Sequence, residues 1–243
     1  MRTLFYIALV FVTMTQVFSQ SKFELGLNAM AQENWNAAIE LFKEDMDSLY
    51  AVESDYNIGV CYIGLEDFNT ALYFFEKALK FSPSNDRIID NASLSYEKLY
   101  PEESWSHPYS GFKRIILSLS SSVWMLISIM CVALLAWIVY SLFIGDAYKK
   151  NRNVMVLLMG IPLWLFSIFG VFETYSHSRE LHFLIPKNIE VATFLTVDGL
   201  ESEEKLQIGK RYEIIAYTQN EWVKIQGNSN SSLWVRKSDV NLY

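Results

Sequence analysis

The stretch VWMLISIMCVALLAWIVYSLFI (residues 123–144), followed by GDAYKKNRN (145–153) and VMVLLMGIPLWLFSIFGVF (154–172), decides the architecture. Neither apolar run contains a charged side chain. At about 1.5 Å of rise per residue, each is long enough to cross a hydrocarbon core of about 30 Å. The reading is a hairpin of two transmembrane helices, 123–144 and 154–172, joined by the short loop 145–153. Pro162 is tolerated in the second run because a membrane helix re-satisfies a freed carbonyl locally. A hairpin puts whatever precedes it and whatever follows it on one side of the bilayer. Lys149, Lys150 and Arg152 in the loop assign that loop to the cytoplasm by the positive-inside rule, so both flanking modules are expected on the opposite face. The uncharged spans offer no path for an ion or a proton.

The amino terminus points the same way. Arg2 precedes an apolar run over residues 4–12, and Val17 and Ser19 stand third and last before a cleavage position, which is the pattern of a signal peptide over residues 1–19 cut after Ser19. The 243 residues leave room for two small folded units beside the membrane segments. Net charge is -7, and between residues 21 and 112 acidic side chains outnumber basic ones by ten. Phosphate-backbone binding needs clustered Lys and Arg, so nucleic acid is not an expected partner. Cys61 lies in a soluble helical pattern and Cys131 in a membrane run, so no disulfide is expected between them. No Cys/His spacing suited to a metal is present, and neither a metal nor a cofactor is expected.

From residue 21 to about residue 100 apolar side chains recur at helical spacing, and the segment repeats itself. Gly26 and Gly59, Trp35 and Phe68, Ala38 and Ala71, and Phe42 and Phe75 all stand 33 residues apart. A third half-unit follows, in which Asn91, Ser93 and Tyr96 repeat Asn57, Gly59 and Tyr62 at an offset of 34, before Pro101 breaks the pattern. The expectation is an all-α repeat array over residues 20–100, closed by a capping helix from about residue 85 to 100. Physically, Gly59 and Ala71 are where paired helices approach closely, Ala78 is where the second helix meets the next unit, and Pro83 ends that helix. Asp45 replaces the small residue seen as Ala78 and no proline follows it, so the second helix of the first unit is expected to end differently.

Ile58-Gly59, Tyr62, Phe68, Ala71, Phe75, Ala78 and Pro83 resemble the small, aromatic and proline positions of the tetratricopeptide repeat. That resemblance implies a concave partner-binding face bearing Phe23, Leu27, Met30, Glu53, Tyr56, Asn57, Val60, Asp90, Asn91 and Leu94. In the peptide-binding branch of the family, positions equivalent to Asn57 and Asn91 hold a peptide carboxylate. The Lys and Arg which that branch also uses are missing here, so a peptide or protein ligand of another type is expected, with packing between neighbouring helices as the alternative role for the two asparagines.

Residues 101–122 form a linker with Pro101, Pro108 and Gly111. In it Trp105, Tyr109 and Phe112 beside Lys113 and Arg114 suggest a segment lying on lipid headgroups. Residues 173–188 read as a polar tether whose His177 and His182 are expected at the surface or the interface.

From residue 189 onward the period becomes two. Candidate strands cover residues 190–197, 212–217, 222–225, 233–236 and 240–242, which suggests a small all-β barrel over residues 189–243. The run Leu206-Gln-Ile-Gly209, the strand after it, Trp222-Val-Lys-Ile225 and Leu233-Trp-Val resemble a bacterial SH3 domain, with Leu233 where that family has glycine. The resemblance implies an SH3-like groove, for which Tyr212, Tyr217, Trp222 and Trp234 are the candidates.

No nucleophile elbow, phosphate-binding loop, dinucleotide glycine pattern or paired carboxylates on one face can be read from the chain, so neither an enzyme nor a small-molecule substrate is expected. The whole arrangement, an export signal, a short repeat array, two spans with a basic loop and a terminal SH3-like barrel, resembles the BatE-like proteins of the Bacteroides aerotolerance group. That resemblance implies a bacterial inner-membrane scaffold with periplasmic modules, working with other Bat membrane proteins in an assembly linked to aerotolerance or envelope stress. The alternative expectation is a cell-wall binder whose SH3-like domain takes a cell-wall peptide.

Overall fold

The computed structural model describes residues 21–45, 50–144, 147–197, 199–218, 221–227 and 231–243. The expected signal peptide, residues 1–19, lies outside the described residues, as do Gly145 and Asp146 of the expected loop. The chain forms helices α1 (Lys22–Ala31), α2 (Trp35–Glu44), α3 (Ala51–Gly64), α4 (Phe68–Phe81), α5 (Asp86–Leu99) and α6 (Gly111–Leu117). Two long helices follow, α7 (Ser121–Ile144) and α8 (Ala147–Arg179), and then an antiparallel sheet.

Helices α1 and α2, then α3 and α4, are two copies of one helix-turn-helix unit, and the repeat is visible atom by atom. In each unit the turn places a glutamate in the left-handed region, Glu33 at φ 56° and Glu66 at φ 60°. In each, the next backbone N–H reaches back into the first helix: Asn34 N–H donates to Ala29 O, and Asp67 N–H to Tyr62 O, both at 2.9 Å. A Cβ built on Gly26 would lie 2.6 Å from the Phe42 ring, and one on Gly59 would lie 2.6 Å from the Phe75 ring. The glycines are there because each phenylalanine occupies the space a side chain would need. Helix α2 ends at Glu44 after 10 residues, whereas α4 runs for 14, in keeping with the missing small residue and proline of the first unit.

The sheet comprises β1 (Phe183–Pro186), β2 (Glu190–Phe194), β3 (Glu201–Gln207), β4 (Tyr212–Tyr217), β5 (Trp222–Gln226), β6 (Ser232–Arg236) and β7 (Val240–Leu242), in the order β3-β2-β6-β5-β4-β1-β7. Alternation sends Val223 and Ile225 of β5 and Leu233 and Val235 of β6 into one core with Val191 and Leu206. Two strands, β1 and β3, were not among the expected ones. Strand β1 lies in the expected tether, and its alternation divides it between two cores: Leu184 faces the sheet cluster, and Ile185 packs with Ala71, Phe75 and Tyr96 of the helices.

The helical array is therefore closed by the sheet. A third unit would place its second helix against α4 and α5; here that space is filled by Trp105, Phe183, Ile185 and Tyr243. Helix α8 begins within the expected loop and continues to Arg179, through residues expected to be a tether, so only residues 180–182 separate it from β1. Helices α7 and α8 contain segments long and apolar enough to cross a membrane, Ser121–Ser141 with mean hydropathy 2.4 and Leu158–Arg179 with 1.4. They expose Leu126, Met130, Trp137, Leu158, Met159 and Phe172 among other large apolar side chains.

Candidate functional site

Helix α4 carries a polar stripe, Asn69, Tyr73, Glu76 and Lys80, at spacings of four, three and four, which lies on one helical face. That face meets the sheet. Asn69 donates through Nδ2 to Pro186 O at 2.9 Å, and its Oδ1 accepts from Gly209 N–H at 2.8 Å. Gly209 holds φ at +71°, a conformation that glycine adopts without strain, and this turn presents its N–H to the helix. Tyr73 OH donates to Leu242 O at 3.3 Å, and Tyr100 OH from the end of α5 donates to Ile208 O at 2.6 Å.

At the centre sits Glu76, 1% exposed. Arg211 binds it bidentately, with Nε to Oε2 at 2.8 Å and Nη2 to Oε1 at 2.6 Å, while Trp105 Nε1 donates to Oε1 at 2.7 Å and Tyr243 OH donates to Oε2. A fully buried carboxylate is tolerable only when paired and hydrogen-bonded, and here the linker, the β3–β4 turn and the final residue of the chain supply the donors. Burial works against the Arg211 charge, but adjacent Glu76 outweighs it and holds the guanidinium above its ordinary pKa. Burial, then the charge of Glu76, pushes the Tyr243 hydroxyl well up, so it stays a donor. Beside this pair, Lys210 contacts Glu103 and Tyr96 OH at the rim. Sequence reasoning missed the network; the stripe of polar residues on an otherwise apolar helix was the available signal.

The expected concave residues divide into two groups. Phe23, Leu27 and Met30 pack on the first-unit core, with the Phe23 ring stacked on Tyr50 at 4.8 Å. Val60 and Tyr56 pack on the second. Asn57 is buried, and Asn91 donates through Nδ2 to Tyr56 OH at 3.0 Å, so that asparagine is engaged by the neighbouring helix. Glu53, Asp90 and Leu94 remain exposed, two carboxylates and one aliphatic side chain.

Of the four expected groove residues, Tyr212 is in the sheet core, its OH accepting from Gln207 N–H at 3.1 Å. Tyr217 is exposed at the end of β4, in register with inward-facing Val223, and so lies off the tryptophan face. Trp222 and Trp234 share the outer face of β5 and β6, each paired across the ladder with a cation, Arg236 and Lys224. Phe194 of β2 meets Trp222 edge-on at 5.1 Å, the Arg236 guanidinium lies 5.5 Å from the Trp222 ring centroid, and Lys224 lies 5.6 Å from that of Trp234. Two cations over aromatic rings make this face suited to an acidic or carboxylate-bearing chain.

His107 pins the linker: Nδ1 accepts from Tyr109 N–H at 3.0 Å while Nε2, 2.9 Å from Pro83 O, donates to that carbonyl. Burial holds its pKa below the ordinary imidazole value. Burial pushes the Cys61 thiol up to about 11, which makes it a packing residue and not a nucleophile. Among the described residues no three His, Cys, Asp or Glu side chains gather as a metal site. Compared with protein-family models, curated proteins and solved structures, the chain matches none.

Proposed function

We propose that the chain is a non-enzymatic membrane scaffold of the BatE-like kind, a tetratricopeptide-type array and an SH3-like barrel carried as one periplasmic head on a two-span hairpin in the bacterial inner membrane. The observation that carries this reading is the buried Glu76–Arg211 pair, which joins array and sheet into a single body. Two surfaces then keep a set spacing: that of exposed Glu53, Asp90 and Leu94 on α3 and α5, and the aromatic face of Trp222 and Trp234. Two weak contacts held in one geometry gain effective concentration, which is what a scaffold needs. The apolar flanks of α7 and α8 support the membrane assignment, since water would leave large side chains such as Met130 and Trp137 uncovered. The partners are proteins of the same envelope, other Bat membrane proteins foremost.

A photo-crosslinking residue placed at Leu94 and, separately, at Trp234 in native membranes should trap the same envelope protein. Capture of different proteins, or of none at either position, overturns the scaffold. The same half-buried tryptophans support a second reading, a cell-wall peptide on the sheet. In that case the solubilised chain sediments with purified sacculi, and Trp222→Ala or Trp234→Ala releases it without loss of folding.

A further inference from the structure

Where the head meets the hairpin, an open-sided cavity of about 180 Å³ is lined by three elements: Lys80 and Phe81 at the end of α4, Leu117, Leu119, Ser120 and Ser121 leading into α7, and Thr174, His177 and Ser178 in the last turns of α8. We infer that this cavity binds the phosphate of a phospholipid headgroup. Its polar lining has hydrogen-bonding capacity to spare at two side chains. His177 is 3% exposed, and neither ring nitrogen has a hydrogen-bond partner. Lys80 is 8% exposed; its ammonium donates to Glu180 O at 2.6 Å, and no carboxylate of the described residues lies within ion-pair distance. An ammonium has three donors, so two remain for a ligand. Ser120 caps α7, accepting at Oγ from Val123 N–H at 3.4 Å, and the N-terminal end of that 24-residue helix gives this wall a positive partial charge.

The ligand class follows by elimination. A cation entering beside Lys80 meets a like charge at close range. An apolar molecule leaves the two spare Lys80 donors and the His177 ring nitrogens without a hydrogen-bond partner. An anion satisfies both. Of the nearby carboxylates, Glu173 is paired with Lys113 at 3.1 Å, while Glu180, which accepts from Ser176 Oγ at 2.8 Å, attracts Lys80 from beyond ion-pair distance, so an anion shares Lys80 with it. At about 30 Å³ per water molecule the cavity holds the volume of about six waters, enough for a phosphate with part of its ester. Leu117, Leu119 and half-exposed Phe81 supply an apolar edge for the glycerol and acyl portion. The choice of a lipid over free phosphate rests on the membrane reading, which puts this end of the hairpin at the headgroup layer; the preference for phosphate does not.

The full chain labelled with ¹⁵N-histidine has only three imidazoles to resolve, His107, His177 and His182. In a non-ionic detergent, dioctanoyl-phosphatidylglycerol should move the His177 signal, assigned by its absence in His177→Asn, with half-saturation at least tenfold below that of inorganic phosphate. Dioctanoylglycerol, which lacks phosphate, should leave it in place. Lys80→Gln should weaken the lipid response at least tenfold, and Lys80→Arg should retain it. No shift with either phosphate compound, or an equal shift with dioctanoylglycerol, overturns the proposal, and inorganic phosphate acting as well as the lipid overturns the lipid assignment. Alkaline carbonate extraction separates the two readings. A chain kept in membranes whose His177 signal never moves loses the site and keeps the anchor; a chain released by carbonate whose signal moves with phosphate loses the anchor and keeps the phosphate site.

Discussion

Glu76 shows how much a single side chain contributes to the arrangement of the head. Its carboxylate accepts from Arg211, Trp105 and Tyr243, residues separated from it by 29 to 167 positions. Glu76→Leu would leave Arg211 buried and uncompensated, at a cost of about 3–5 kcal/mol, whereas Glu76→Leu with Arg211→Met should recover most of that loss by apolar packing. Urea unfolding followed by tryptophan fluorescence measures both; equal destabilisation in the single and double variants would contradict the pairing. At the same scale, His107 makes stability depend on pH. Its folded pKa is depressed, mainly by burial, so the unfolded chain binds the proton more readily below the ordinary value of 6.5. Its contribution is intact above pH 6.5 and is lost as pH falls from there through the folded value. His107→Gln should flatten that part of the profile, and an unchanged acid limb would remove His107 as its source.

Among the elements, the repeated helix-turn-helix units make the most direct prediction. Gly26→Ala and Gly59→Ala each push a methyl into a phenylalanine ring and should cost about 1–3 kcal/mol by overpacking, while Phe75→Leu in the Gly59→Ala background should relieve part of the cost. Thermal melts would show it. These units were legible in the chain because their contacts are local and recur at a fixed offset. The strands were less so. Strand β3 has the sequence ESEEKLQ, which reads as a polar loop, yet an edge strand pairs through its backbone and needs only Leu206 inward. Strand β1, FLIP, lies within what reads as a polar tether; it has no alternation to betray it because both of its faces are buried, one by each core. His177 and His182 were expected at the surface or the interface; their rings stack at 4.4 Å, with His177 buried and His182 half-buried, because α8 continues to Arg179 and turns directly into β1.

For the whole molecule, the membrane proposal fixes which parts of the chain an impermeant thiol reagent reaches. In a background with Cys61→Ala and Cys131→Ala, cysteines introduced at Ser84 and Ser238 should be labelled in intact spheroplasts, and one at Asn151 only after lysis. Labelling of Asn151 together with protection of the other two would invert the arrangement. The uncharged runs, the 33-residue helical repeat and the period of two beyond residue 189 were all fixed by the order of residues, because each is a local periodicity that polar and apolar side chains impose on their own backbone. How the pieces meet was decided only by the tertiary structure. The partners of Glu76, the closing of the array by β1 and Tyr243, and the cavity between Lys80 and His177 join residues far apart in the chain, and burial there depends on what the rest of the fold brings alongside.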